Sequence, residues 1–309
     1  MTVRVACFGK LPFHREFLRI GLESPAAAWV VHWLEQAHVA WSRTGNAPAS
    51  SPLVRFAAPV ERSLVVGVVR QSSDGLRRHP VALFIETSGD LAAARPELVP
   101  LACEPVWTAL ATLLDAGATS VAELTAALAG GVPAPDRAAA EAAFADAGAR
   151  DVPGGAWAAL AGPAADADAA RHLALNFITA AQAQAGVASA ADGVAFSVPI
   201  DEQPATAAGQ AALWIALFTA AVSRAIAPPA LLLRPQPGML VACYRPPDGR
   251  DLAATLGDPA LAPIDDLCEP WQPWPPSDGR LAAGVEALVA GAPTRFPGLV
   301  ETMRTLAHP

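Results

Sequence analysis

The run Leu64-Val65-Val66-Gly67-Val68-Val69 constrains the architecture more than any other stretch. It is apolar at consecutive positions, so it reads as a strand with no face left for water. A strand buried on both sides needs a covering layer on each side of its sheet. Its neighbours supply the sheet. Strands are expected at about 53–58 and 63–70, and another at 81–86, after the turn that carries Arg77-Arg78-His79-Pro80. The covering material is also legible. Ser24 as N-cap and Pro25 in the first turn open a helix that runs to about Arg43. Trp29, Trp33, Ala37 and Trp41 recur along it at helical spacing, opposite His32, Glu35 and Gln36. That stripe reads as core, because aromatic side chains dominate burial.

From about 96 to 185 the chain is alanine-rich and helical. It is cut by Gly130-Gly131, Pro133, Pro135, Pro153-Gly154-Gly155 and Gly162-Pro163. The stretch 130–165 is the natural place for a junction, so the chain divides at about 1–150 and 151–309. The two parts are either separate or packed into one unit. In the second part a strand near 193–198 precedes a long helix near 205–226, then strands at Ala230 to Arg234 and Met239 to Tyr244. This β-α-β-β order matches that of residues 3–70. Helices near 279–290 and 296–306 close the chain. The fold class is α+β, with an antiparallel or mixed sheet covered by helices.

Composition narrows the function. The 309 residues suffice for a large core, 53% are apolar and only 16% are charged, which is not a disordered composition. The net charge of −8 is unevenly placed. Residues 1–80 carry ten Lys/Arg against five Asp/Glu, a balance of +5, and the remainder balances at −13. Overall acidity argues against a nucleic-acid binder, whereas the basic first part either faces an acidic partner or is attracted to the acidic second part. Cys7, Cys103, Cys243 and Cys268 show no Cys-x-x-Cys spacing, and no secretory leader pattern opens the sequence. Free thiols in a reducing cytoplasm are expected. Gln203 to Ser223 lacks charge and has about the length of a membrane span. Its glutamines, threonines and many alanines fit a buried core helix better.

Gly9-Lys10 lacks the upstream glycine and following Ser/Thr of a phosphate-binding loop, and no Gly-x-Ser-x-Gly or His-Glu-x-x-His occurs. No metal or cofactor is expected, and no catalytic residue is assigned. Cys7 with His14, or the Lys10 amine, is the enzymatic alternative. Lys10 itself is the only lysine in the chain and follows a short apolar strand, Val3 to Phe8, which Gly9-Lys10-Leu11-Pro12 is expected to break. It is either a functional loop residue or a chance survivor in an arginine-rich background. The segment Glu269-Pro270-Trp271-Gln272-Pro273-Trp274-Pro275-Pro276 favours extended backbone, its tryptophans clamping it to the surface or awaiting a partner.

Three motifs together resemble the TagF (ImpM) family of type VI secretion accessory proteins. Gly9-Lys10-Leu11-Pro12 followed by Phe17 and a Trp-rich helix is similar to the family's opening. Pro52-Leu53-Val54-Arg55-Phe56 is similar to its Pro-x-Trp-Arg-Phe. Ser72-Ser73-Asp74-Gly75-Leu76-Arg77-Arg78-His79-Pro80-Val81 resembles its Ser-x-Asp turn. The chain departs from the pattern at Arg15-Glu16, where Gly-Asp is usual, and at Val54 and His79. The turn is also one residue short. The resemblance implies a non-enzymatic cytoplasmic regulator. It would act after translation, binding and sequestering a forkhead-associated-domain scaffold protein of the secretion system. Lys10, Pro12, Arg15, Arg77 and Arg78 are the expected partner-binding residues, provided the two loops lie at the same sheet edge. The remaining alternative is a membrane-associated component using residues 203–223.

Overall fold

The computed structural model describes residues 2–44, 52–73, 78–149, 157, 160–162, 166–222, 226–257, 261–262, 264–271, 273–291 and 295–308. Arg77 and much of the expected junction (150–156, 158–159 and 163–165) lie outside them, as does Gln272.

The strands are β1 (Thr2–Val3), β2 (Ala6–Leu11), β3 (His14–Ile20), β4 (Val54–Val60), β5 (Ser63–Ser73), β6 (Arg78–Ser88), β7 (Val132–Pro133), β8 (Ala195–Pro199), β9 (Ala230–Arg234), β10 (Met239–Cys243) and β11 (Asp265–Asp266). The α-helices are α1 (Pro25–Thr44), α2 (Asp90–Ala94), α3 (Val99–Asp115), α4 (Val121–Ala129), α5 (Arg137–Ala149), α6 (Ala167–Gly186), α7 (Pro204–Val222), α8 (Gly249–Leu256), α9 (Gly279–Val289) and α10 (Phe296–Ala307).

Nine strands form one sheet in the order β11-β8-β10-β9-β4-β5-β6-β2-β3. All pairings are antiparallel except β11 with β8. The pairing of β4 with β9 joins strands from the two halves, with Phe56 opposite Leu232. The apolar run of β5 is buried as its sequence requires. Leu64, Val66 and Val68 point to one face, and Val65 and Val69 to the other. Gly67 is needed there, because a Cβ would stand 2.4 Å from the Phe56 ring.

Helices α1 and α8 cover one face. Trp33 and Trp41 of α1 are buried, and their indole N–H groups donate to the carbonyls of Asp248 (2.8 Å) and Ala253 (3.2 Å). These bonds satisfy the polar handles of two core tryptophans. The other face is covered by α3, α6, α7, α9 and α10. Here Trp107 of α3 donates to the Phe56 carbonyl at 3.0 Å.

A β-α-β-β order recurs as β3-α1-β4-β5 and β8-α7-β9-β10, with the extra strand β2 before the first set, but the two helices lie on opposite faces. Val30 and Trp33 of α1 pack in one core, whereas Trp214 and Phe218 of α7 pack in the other. A local two-fold between antiparallel β4 and β9 would keep both helices on one face, so the recurring order is not a superposable repeat. The uncharged helix at 204–222 is apolar nearly all round because neighbouring helices and the sheet surround it. By length and composition, Pro96–Asp115 is long and apolar enough to cross a membrane, and half of it is buried in the fold.

Candidate functional site

The Gly9-Lys10-Leu11-Pro12 segment does not break its strand, contrary to the sequence expectation. β2 continues to Leu11, and residues 12–13 turn it into β3. Gly9 makes this possible. Its φ is +135°, and a Cβ would lie 2.3 Å from the Pro80 carbonyl oxygen. The register shifts between Gly9 and Leu11, which marks a bulge. Pro12 sits in the turn, where its missing N–H interrupts no ladder bond.

Lys10 is 9% exposed. Its ammonium donates to the Arg15 carbonyl at 3.0 Å and lies 5.1 Å from the centre of the Phe17 ring. It therefore holds the hairpin from within, by a charge-assisted hydrogen bond and a cation–π contact. Phe17 in turn stacks on Phe8, with ring centroids 5.6 Å apart and planes at 14°. His79 stands edge-on to Phe17 at 4.6 Å and to Phe8 at 6.0 Å, and lies 4.7 Å from His38 of α1. The His79 Nδ1–H donates to the Pro80 carbonyl at 2.8 Å. Burial pushes this imidazole down to about 4, and the nearby His38 and Lys10 act in the same direction.

The other expected binding residues distribute as follows. The Arg15 side chain is exposed on β3. Pro12 is exposed and, with Leu11 and Phe13, roofs a cavity of about 420 Å³ floored by Leu113, Leu114 and Leu124. Arg70 walls this cavity, held by Asp115 at 2.7 Å and the Leu114 carbonyl at 3.0 Å. Arg78 opens β6 opposite Ser73, while its side chain lies outside what is described, as does all of Arg77. Phe8 pairs with Ala82 in antiparallel register, so the end of β2 and the start of β6 lie side by side. The β2–β3 turn and the start of β6 thus share one end of the sheet.

Cys7 and His14 do not form a pair. Cys7 faces Ile20, and His14 faces Leu11 four residues along, about 13 Å at the usual strand rise. Cys7 is fully buried, and burial pushes its thiol up to about 12. Among the described residues no group of three His, Cys, Asp or Glu is arranged to hold a metal ion. In the Pro/Trp segment, Trp271 donates to the Asp266 carbonyl at 3.0 Å, and Trp271 and Trp274 pack against the core. The tryptophans act as clamps.

Sequence reasoning missed β3 and the aromatic stack around Phe17. The alternation Arg15, Phe17, Arg19 was a signal for a strand with one mixed face, but its charged residues hid it.

No curated protein matches the chain. A family model described as the TagF N-terminal domain, type VI secretion system-associated, matches residues 6–130, from the first residue of β2 to just beyond α4. That span contains the hairpin, α1, the β4–β6 meander and α3. Residues 6–130 thus match the TagF N-terminal domain, which is type VI secretion system-associated.

Proposed function

We propose that this protein is a non-enzymatic cytoplasmic regulator of type VI secretion, which restrains assembly by binding a forkhead-associated-domain scaffold protein. The TagF N-terminal domain over residues 6–130 carries this reading. Sequestration needs no chemistry, only preferential binding to one state of the scaffold, which withdraws it from assembly by mass action. The contact face is the sheet end where the β2–β3 hairpin meets the start of β6. Arg15 and Pro12 supply its exposed part on the hairpin side. Arg77 and Arg78, next to the start of β6 in sequence, are the further basic residues assigned to it. Lys10 shapes the hairpin that presents them.

The test is a titration of the purified chain with the purified scaffold. Binding is expected, and reversal of Arg15, Arg77 and Arg78 to Glu should weaken it at least tenfold. Unchanged affinity in the triple variant would discard this face. No complex with wild-type protein would discard the sequestration reading.

A further inference from the structure

Strand β3 ends the nine-stranded sheet, and among the described residues no strand pairs with its outer edge. Arg15, Glu16 and Phe17 are consecutively exposed, so side chains of both faces meet solvent there. Such an edge is a template for a further strand. Charged residues often protect an edge from that fate. Protection does not explain Phe17, which is 39% exposed between Arg15 and Arg19. Nor does it explain why Phe17 is so firmly backed, by Phe8 beneath it, His79 at its side and the Lys10 ammonium. A rigid exposed aromatic on fixed elements is how a binding anchor is built.

We propose that the β3 edge binds an extended acidic segment of a partner protein as an added strand. The ladder would come from main-chain groups of β3. Arg15, Phe17 and Arg19 share one face, because they alternate along the strand. They would read an acidic, an apolar and a second acidic residue at every other position of the segment. The outer pair would be about 13 Å apart, the spacing of Arg15 and Arg19. Arg19 is available for this. Its guanidinium lies 5.2 Å from the Phe8 ring centre, and its contact with Glu35 is long, 4.0 Å, between side chains that are 60% and 51% exposed. Ion pairs that exposed contribute little. The same charges disfavour a second copy of this chain in the symmetric register. An antiparallel copy centred on Phe17 would set Arg15 opposite Arg19 twice, and like charges directly opposite are destabilising. The inference rests on the functional reading above only for which protein carries the segment.

The probe is a synthetic peptide with the core Glu-Val-Leu-Thr-Glu, mixed with the full chain and followed by amide hydrogen exchange and fluorescence anisotropy. Saturating peptide is expected to slow exchange of residues 14–20 at least tenfold. Affinity should fall with added salt. N-methylation of alternate peptide nitrogens should abolish binding. The Arg15→Glu/Arg19→Glu variant should lose at least tenfold in affinity for this peptide and gain affinity for the version with Lys in place of Glu. That gain also shows that the variant is folded. No binding, binding without protection of 14–20, or equal binding of the N-methylated peptide would overturn the proposal. Dimerisation of the free chain through β3 would overturn it as well. A scaffold that binds while β3 exchange is unchanged refutes this edge and spares the sequestration reading. Peptide binding at β3 without scaffold binding does the reverse.

Discussion

The imidazoles of His38 and His79 lie 4.7 Å apart, one on helix α1 and the other at the start of β6. Charging the buried ring of His79 means placing a cation beside His38 and close to the Lys10 ammonium. Its folded-state value of about 4 is below the 6.5 of an exposed imidazole. Between those values the unfolded chain binds the extra proton, so stability should rise with pH there. It is fully present above 6.5 and is lost as pH falls toward 4, by up to about 3 kcal/mol at 1.36 kcal/mol per unit. Urea melts at pH 4 and 7 should show this, and His79→Phe should flatten the dependence. An unchanged slope in that variant would assign the acid sensitivity elsewhere.

Lys10 closes the hairpin through Arg15. Replacement by Met keeps the stem but removes the donor and the cation over Phe17. A hydrogen bond to a charged group is worth about 1.5–3 kcal/mol, so Lys10→Met should lower the thermal midpoint by several degrees. Arg should substitute poorly, since its planar fork does not match a single carbonyl. Calorimetry of the two variants checks this, and a midpoint equal to wild type would rule out the structural role.

Gly9 tolerates no side chain. A Cβ would press on the Pro80 carbonyl and Val81, and the φ of +135° is hostile to other residues. Gly9→Ala should cost at least about 2–3 kcal/mol, from backbone strain and overpacking together. Chemical denaturation would detect it, and accelerated amide exchange in β2 and β6 would locate it. A neutral result would mean that the strands part without penalty.

Cys7, Cys103 and Cys243 are buried, and Cys268 is exposed. Partial desolvation by its surroundings still pushes the Cys268 thiol up, to about 11, and the Asp266 carboxylate beside it adds to this. One thiol should therefore react in the native protein, slowly at pH 8, and four after unfolding. A chromogenic disulfide reagent counts them. Rapid native reaction that Cys268→Ser does not remove would point to Cys7 or another buried thiol.

Local patterns carried much of the architecture. The Ser24 hydroxyl accepts from the Ala27 amide at 3.0 Å, as a capping serine before proline should. The strands of β4–β6 and β8–β10 and the closing helices appear where periodicity puts them. These are short-range signals, set by side-chain alternation and by residues that start or stop an element. The family motifs were equally local, and all of their quoted residues lie within the 6–130 match.

Tertiary structure decided what depends on partners distant in sequence. The sequence makes Gly9 to Pro12 a strand break, because glycine permits unusual φ and proline cannot continue a ladder. Contact with Pro80 makes it a bulge inside a continuing strand. Lys10 read as a loop ammonium and became an internal tie, since only the β2–β3 hairpin supplies the Arg15 carbonyl. Sequence spacing left Cys7 and His14 as a conceivable pair, and strand register separated them. Whether the halves form one sheet could not be read from either half. The β4–β9 pairing answers it, through main-chain hydrogen bonds that carry no side-chain code.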